Sequence, residues 1–215
     1  MDAGTLTLEA SGTGSSRVDL ELSTGSRITV RAPAGASAGT GQNATSPGGT
    51  TEVAGTTSRL PLGDSFWPAA WFFPALALPA AAGPSAVLSD LGSQTLDESA
   101  PGGTALRHLR FALSPPNPDA AGATTVAALT QADWLLDPST FLPAVLRFSR
   151  HPKGIVNRGY QVEVRYSDWR VVSGVEVPFH IERWVTGSRE LVVTVQSVEI
   201  NPPLASSQFQ FGGAQ

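Results

Sequence analysis

Between Gly159 and Phe211 apolar and polar side chains alternate through one turn after another, and few folds are open to a chain that does this. From Tyr160 the even positions Tyr160, Val162, Val164 and Tyr166 oppose Gln161, Glu163, Arg165 and Ser167. That is the period-two signature of a strand with one buried face. After the Ser173-Gly174 turn the odd positions Val175, Val177, Phe179 and Ile181 share a side, opposite Glu176, His180 and Glu182. A second turn at Thr186-Gly187 returns the chain through Leu191, Val193 and Val195, and parity then shifts to Val198 and Ile200. The shift predicts a bulge near Gln196-Ser197. Asn201-Pro202-Pro203 stops the strand, because consecutive prolines donate nothing to a ladder.

The first thirty residues have the same rhythm. Leu6, Leu8, Val18, Leu20, Leu22, Ile28 and Val30 are all even-numbered, and Gly/Ser turns at 11–16 and 24–26 divide them into three strands of an up-and-down meander. Further strands are expected over Leu106 to Leu113, Val126 to Leu136 and Phe141 to Phe148. The last two are joined by Asp137-Pro138-Ser139-Thr140, in which proline presets φ and the aspartate bonds the backbone ahead. Only 15% of the 215 residues are charged, while 22 are Gly and 17 Pro, which favours strands and loops over long helices. A single β-rich domain over 1–215 follows, with a flexible Gly/Ser/Thr-rich insertion near 33–57.

Ser65 to Ala82 breaks the pattern. It holds Phe66, Trp67, Trp71, Phe72, Phe73, Leu76 and Leu78 without one charge, yet Pro68, Pro74 and Pro79 interrupt it. A membrane-spanning helix needs roughly 20 apolar residues, and this run is shorter and broken. A short kinked helix starting near Pro68 is expected, apolar around its circumference and so covered on more than one side. Laid across the apolar face of a curved sheet it would act as a lid. Trp67, Trp71, Phe72, Phe73 and Leu76 of the lid, with Phe179, Ile181 and Val193 of the sheet, are the candidate ligand-binding residues. The plainer role for each is ordinary core packing.

Several function classes find no support. A net charge of −4 offers no basic stripe for nucleic acid. With no cysteine there is no thiol catalysis, disulfide or thiolate metal site. His108, His151 and His180 lack a second ligand at metal spacing. Asp97-Glu98 falls in a loop-like stretch, and Asp137, close to Asp133, is a turn former. No nucleophile elbow, phosphate loop or dinucleotide motif is present, so neither an enzyme nor a cofactor is expected. Met1-Asp2-Ala3-Gly4 leads into a strand without the basic and apolar regions of an export signal.

The strings Tyr166-Ser167-Asp168-Trp169-Arg170, Gly174-Val175-Glu176-Val177-Pro178 and Val198-Glu199-Ile200-Asn201, with a closing Phe209, resemble the LolA-like and outer-membrane lipoprotein-sorting-type domains. So does the turn Asp137-Pro138-Ser139-Thr140-Phe141-Leu142-Pro143. The resemblance implies a mostly β fold, a curved antiparallel sheet or half-open barrel capped by short apolar helical segments. It also implies a non-enzymatic carrier of the periplasm or cell envelope. Such a carrier holds a lipid, acyl chain or lipoprotein between sheet and lid, with an envelope protein or peripheral membrane contact as partner. The rival expectation is a protein-protein interaction module whose aromatics all belong to a filled core.

Overall fold

The computed structural model describes residues 2–11, 15–32, 48–53, 55–59, 71–77, 85–96, 103–114, 122–151 and 158–209. Two compact units divide the chain, Met1–Leu76 with Glu199–Gln215, and Ala77–Val198.

In the first unit β1 (Gly4–Ala10), β2 (Ser16–Leu22), β3 (Gly25–Ala32), β4 (Gly48–Val53) and β5 (Thr56–Arg59) pair antiparallel in chain order. The three-strand meander is there as expected, with Leu6 opposite Leu20 and Leu8 opposite Val18. The even residues nevertheless do not all share a face. The β2–β3 turn pairs Leu22 with Gly25, which sets Ile28 across from Asp19 and Val30 across from Arg17. Val30 is buried, and the 3-10 turn Ser206–Phe209 packs beside β2 and β3. At Gly4 a Cβ would stand 1.8 Å from the Glu21 carbonyl oxygen, so only glycine allows this approach of β1 to β2.

The second unit holds β6 (Ala86–Thr95), β7 (Ala105–Leu113), the helix α1 (Ala123–Thr130), β8 (Ala132–Leu136), β9 (Pro143–Arg150), β10 (Tyr160–Val172), β11 (Val175–Val185) and β12 (Ser188–Thr194). Its seven strands also follow chain order across one antiparallel sheet. The fold is mostly β, two open antiparallel sheets with no closed barrel among the described residues.

Two expectations are corrected here. The strand expected over Val126 to Leu136 is a helix up to Thr130 and a strand only from Ala132. Ala-Thr-Thr-Val-Ala-Ala-Leu-Thr carries enough alanine to favour helix. Gln131 is extended and ends the helix. Thr130, fully buried, fixes the junction: its hydroxyl donates to the Val126 carbonyl at 2.7 Å and accepts from the Leu113 amide at 2.9 Å. Nor does the bulge fall at Gln196-Ser197. Register slips between Arg183 and Trp184, where Glu190 is the extra residue of β12, and the strand ends at Thr194, ahead of the prolines. Gly48–Val53 and Thr56–Arg59 pair as strands, while residues 33–47 lie outside the described residues.

Candidate functional site

One face of the seven-stranded sheet is apolar in successive cross-strand rows. Phe111, Ala132, Phe148, Val162 and Val185 form one row; Leu109, Trp134, Leu146 and Val164 form the next, which continues into Arg183 on β11. Tyr166, Ile181 and Val193 form a third, with Ile181 directly opposite both of its neighbours. Alternation places these residues together because the registers from β7 to β11 hold through these rows, and the slip between β8 and β9 falls beyond them, at Leu135/Leu136. Leu146, Val162, Val164 and Ile181 are buried.

Of the candidate residues, Phe179, Ile181 and Val193 therefore share this face. Phe179 and Ile181 are buried and Val193 is half-buried, next to the open edge of the sheet. The Arg170 guanidinium lies 4.3 Å from the centroid of the Phe179 ring, and Asp168 holds it there with bonds of 3.1 and 2.6 Å. Trp71, Phe72, Phe73 and Leu76 belong to the first unit. Trp71 and Phe72 are helical and Pro74–Ala77 is a 3-10 turn, consistent with short helical pieces broken by proline. Trp71 is buried and Phe72, Phe73 and Leu76 are half-buried. Trp67 lies outside the described residues. Among the described residues no helix is long and apolar enough to cross a membrane.

Tyr166 was not among the candidates, although its place in the alternation was plain. It is buried at the centre of the third row, its ring 6.2 Å from that of Trp169, and burial pushes its hydroxyl pKa well up. It is neutral at physiological pH.

The opposite face shows what the sequence hid. Arg110, Asp133, Arg147, Glu163, Trp184 and Arg189 stand side by side across six strands. Arg110 grips Asp133 through two bonds of 2.7 and 3.1 Å, and His108 lies 3.2 Å from the same carboxylate. Burial alone would raise the pKa of Asp133; the bonds from Arg110 and His108 outweigh it and lower it. Glu163 behaves alike, with burial opposed by Arg147 at 2.7 Å and Arg165 at 2.6 Å. Trp184 sits between Arg165 and Arg189, whose guanidinium carbons are 4.6 and 5.9 Å from its ring, and its indole N–H donates to Glu182 at 3.0 Å. Asp133 and Glu163 are thus largely shielded carboxylates whose charges are answered by arginines of neighbouring strands.

A polar recess of about 240 Å³ in the first unit is lined by Thr7, Glu9, Arg17, Asp19 and Gln208. Arg17 donates to both oxygens of Asp19 at 2.9 Å and to the Gln208 carbonyl, and the Gln208 amide donates to Glu9 at 3.1 Å. These bonds tie the 3-10 turn Ser206–Phe209 to β1 and β2. Among the described residues no three His, Asp or Glu side chains gather at metal-binding distances.

Two open sheets in strict chain order and proline-broken helical pieces have a counterpart among solved structures. A crystal structure described as an outer membrane lipoprotein-sorting protein domain, from Vibrio parahaemolyticus, matches over 97% of this chain and 81% of its own, with a TM-score of 0.51 at 7% identity. The chain has the fold of that domain. A LolA superfamily protein from Nitrosomonas europaea also aligns, over 86% of this chain and 79% of its own, with a TM-score of 0.31 at 11% identity. No family model matches the sequence, and no curated protein does. The lipoprotein-sorting domain shares architecture with this chain and almost none of its side chains, so the likeness speaks to fold alone.

Proposed function

We propose that the chain is a non-enzymatic binding or carrier protein of the bacterial cell envelope that holds a lipid or acyl chain, free or attached to a lipoprotein. The observation that supports this most is the largely apolar face of the seven-stranded sheet, on the fold of a lipoprotein-sorting domain. Ligand would lie along Phe179, Ile181 and Val193 of the seven-stranded sheet; Trp67, Trp71, Phe72, Phe73 and Leu76 are candidate ligand contacts within the first unit. Each acyl CH₂ withdrawn from water contributes about 0.8 kcal/mol. Ten of them supply about 8 kcal/mol, on the scale of the association cost of about 4–15 kcal/mol, without any specific polar contact.

Solvent extraction of the purified protein followed by mass spectrometry tests the proposal and names the cargo. A fluorescent fatty-acid analogue tests the site: Val193→Asp and Phe73→Asp, at half-buried positions, should abolish its binding while circular dichroism and the melting curve stay close to wild type. No co-purifying lipid together with no saturable binding would favour the interaction module with a filled core.

A further inference from the structure

We propose that β6, the edge strand of the seven-stranded sheet, pairs antiparallel with β6 of a second copy of the chain about a two-fold axis at Leu88. In the sheet β6 has one neighbour, β7. Of the large apolar side chains exposed among the described residues, Val87, Leu88 and Leu91 lie on β6, at 48, 56 and 46%, and Leu96 follows it directly. An edge with apolar flanks and outward backbone groups is a template for another strand. The other edge of the same sheet is guarded: β12 carries Arg189 and Glu190, and its pairing with β11 slips between Arg183 and Trp184. From Ala86 to Ser89 β6 has no charge, no proline and no bulge.

The register fixes which backbone groups face outward. The Ser114 amide donates to the Ser85 carbonyl at 2.7 Å, one step before the pair Ala86–Leu113. Bonded and non-bonded pairs alternate along an antiparallel ladder, so Val87 and Ser89 are the residues that bond to β7. Ala86, Leu88 and Asp90 turn their amides and carbonyls to the open edge. Beyond Asp90 the flat stretch ends. Leu91 is the extra residue of a bulge, Gly92 has a φ of 87°, and its amide donates to the Asp90 carboxylate at 2.9 Å.

A second copy fits better than a foreign strand because this stretch complements itself. With the axis at Leu88, the outward groups of Ala86 meet those of the partner's Asp90, and Leu88 meets the partner's Leu88, so all three residues are paired. Leu88 stands opposite Phe111, and the Leu88 pair therefore joins the apolar row of Phe111, Ala132 and Phe148 in one copy to the same row in the other. The Asp90 carboxylate falls opposite the partner's Ala86 instead of another carboxylate, and keeps its ion pair with Arg107. An axis one residue earlier leaves Asp90 outside the pairing. One residue later it sets Leu88 against the partner's Asp90 and runs into the bulge. A self-complementary contact of this kind closes at two copies. The span from Ala86 to Asp90 is short, so the dimer is a weak one that forms as concentration rises.

This pairing is independent of the carrier reading, since mass and cross-linking read the edge of the sheet and extracted lipid reads its face. Sedimentation velocity of the full chain over a concentration series tests it: wild type should shift from monomer towards dimer as concentration rises. Leu88→Pro removes an outward amide and leaves the bonds between β6 and β7 in place, so it should stay monomeric with an unchanged circular dichroism spectrum. Leu88→Lys keeps every backbone group but sets two like charges opposite each other, and should raise the dissociation constant about tenfold. The register is read by cysteine, which the chain lacks. Leu88→Cys should oxidise to a covalent dimer, because directly bonded partners stand about 5.5 Å apart at Cα, within reach of a disulfide. Ala86→Cys, about 14 Å from its own copy, should not. Three results would overturn the proposal: wild type monomeric at every concentration, which leaves the edge to an extended segment of another protein; an undiminished dimer in both Leu88→Pro and Leu88→Lys; or cross-linking of Ala86→Cys as readily as of Leu88→Cys.

Discussion

The two sheets follow the same chain-order topology but are held together differently. In the seven-stranded sheet Leu135, Leu146, Val145, Val162 and Val164 are almost wholly removed from water. In the five-stranded sheet the buried residues among the described side chains are Ser16, Val30 and Thr51. There a hydroxyl does what a methyl does in the other: Thr51 donates to the Ile28 carbonyl at 3.1 Å and lies 3.4 Å from the Thr29 hydroxyl. A sheet filled with aliphatic side chains draws stability from apolar area. One pegged by threonines relies on its ladder, and each peg is worth only about 1 kcal/mol net.

That contrast can be broken at graded strengths. Leu146→Ala should cost the most, about 3 kcal/mol in urea denaturation, because it opens a cavity at a position with no exposure. Val30→Ala, the apolar counterpart in the smaller sheet, should cost about 2 kcal/mol. An equal or larger loss than for Leu146→Ala would erase the distinction. Glu163→Gln should cost about 1–2 kcal/mol at neutral pH by removing the negative charge and one of the two acceptor oxygens that Arg147 and Arg165 use. Because Glu163 has its pKa lowered in the fold from 4.5, its contribution is fully present above that value and is lost as pH falls through the folded one. The gap between wild type and Glu163→Gln should therefore close in acid.

Asp137→Ala should lower the melting temperature by less. Hydrogen bonds from Ser139, then Thr140, hold the Asp137 carboxyl at about 2 instead of 3.8, so its contribution persists below pH 3.8 and vanishes as pH falls through about 2. Thr51→Val should be the mildest, within about 1 kcal/mol of wild type. A larger loss would show that the hydroxyl pegs, rather than the ladder, hold the smaller sheet.

The strands of the last third were legible because alternation over β10 and β11 is a local property, and the turn residues Ser173-Gly174 and Thr186-Gly187 mark their ends in plain sight. Phe179, Ile181 and Val193 fell on one face for the same reason. What depended on pairing was not legible. Ile28 and Val30 carry the same parity as Leu20, but the turn after Leu22 moves them to the other face. The row from Arg110 to Arg189 exists only because five registers align, and no single strand advertises it. The bulge at Glu190 lies where Arg183 bonds its carboxylate at 3.3 Å, a contact between strands that no run of residues within β12 reveals. The helix α1 was missed although Val126 and Leu129 stand at helical i, i+3 spacing, because its eight residues run almost directly into β8, and the hydroxyl of Thr130 that locks the helix to β7 acts across the fold.

The strict chain order of the strands has a consequence for synthesis. Each strand's neighbours are its predecessor and its successor, so every hairpin can close as soon as its second arm emerges, and loop-closure entropy stays small throughout. Within each sheet such a polypeptide can zip up hairpin by hairpin, which shortens the time its greasy rows stand open to aggregation, while the turn Ser206–Phe209 has to return to strands made near the start.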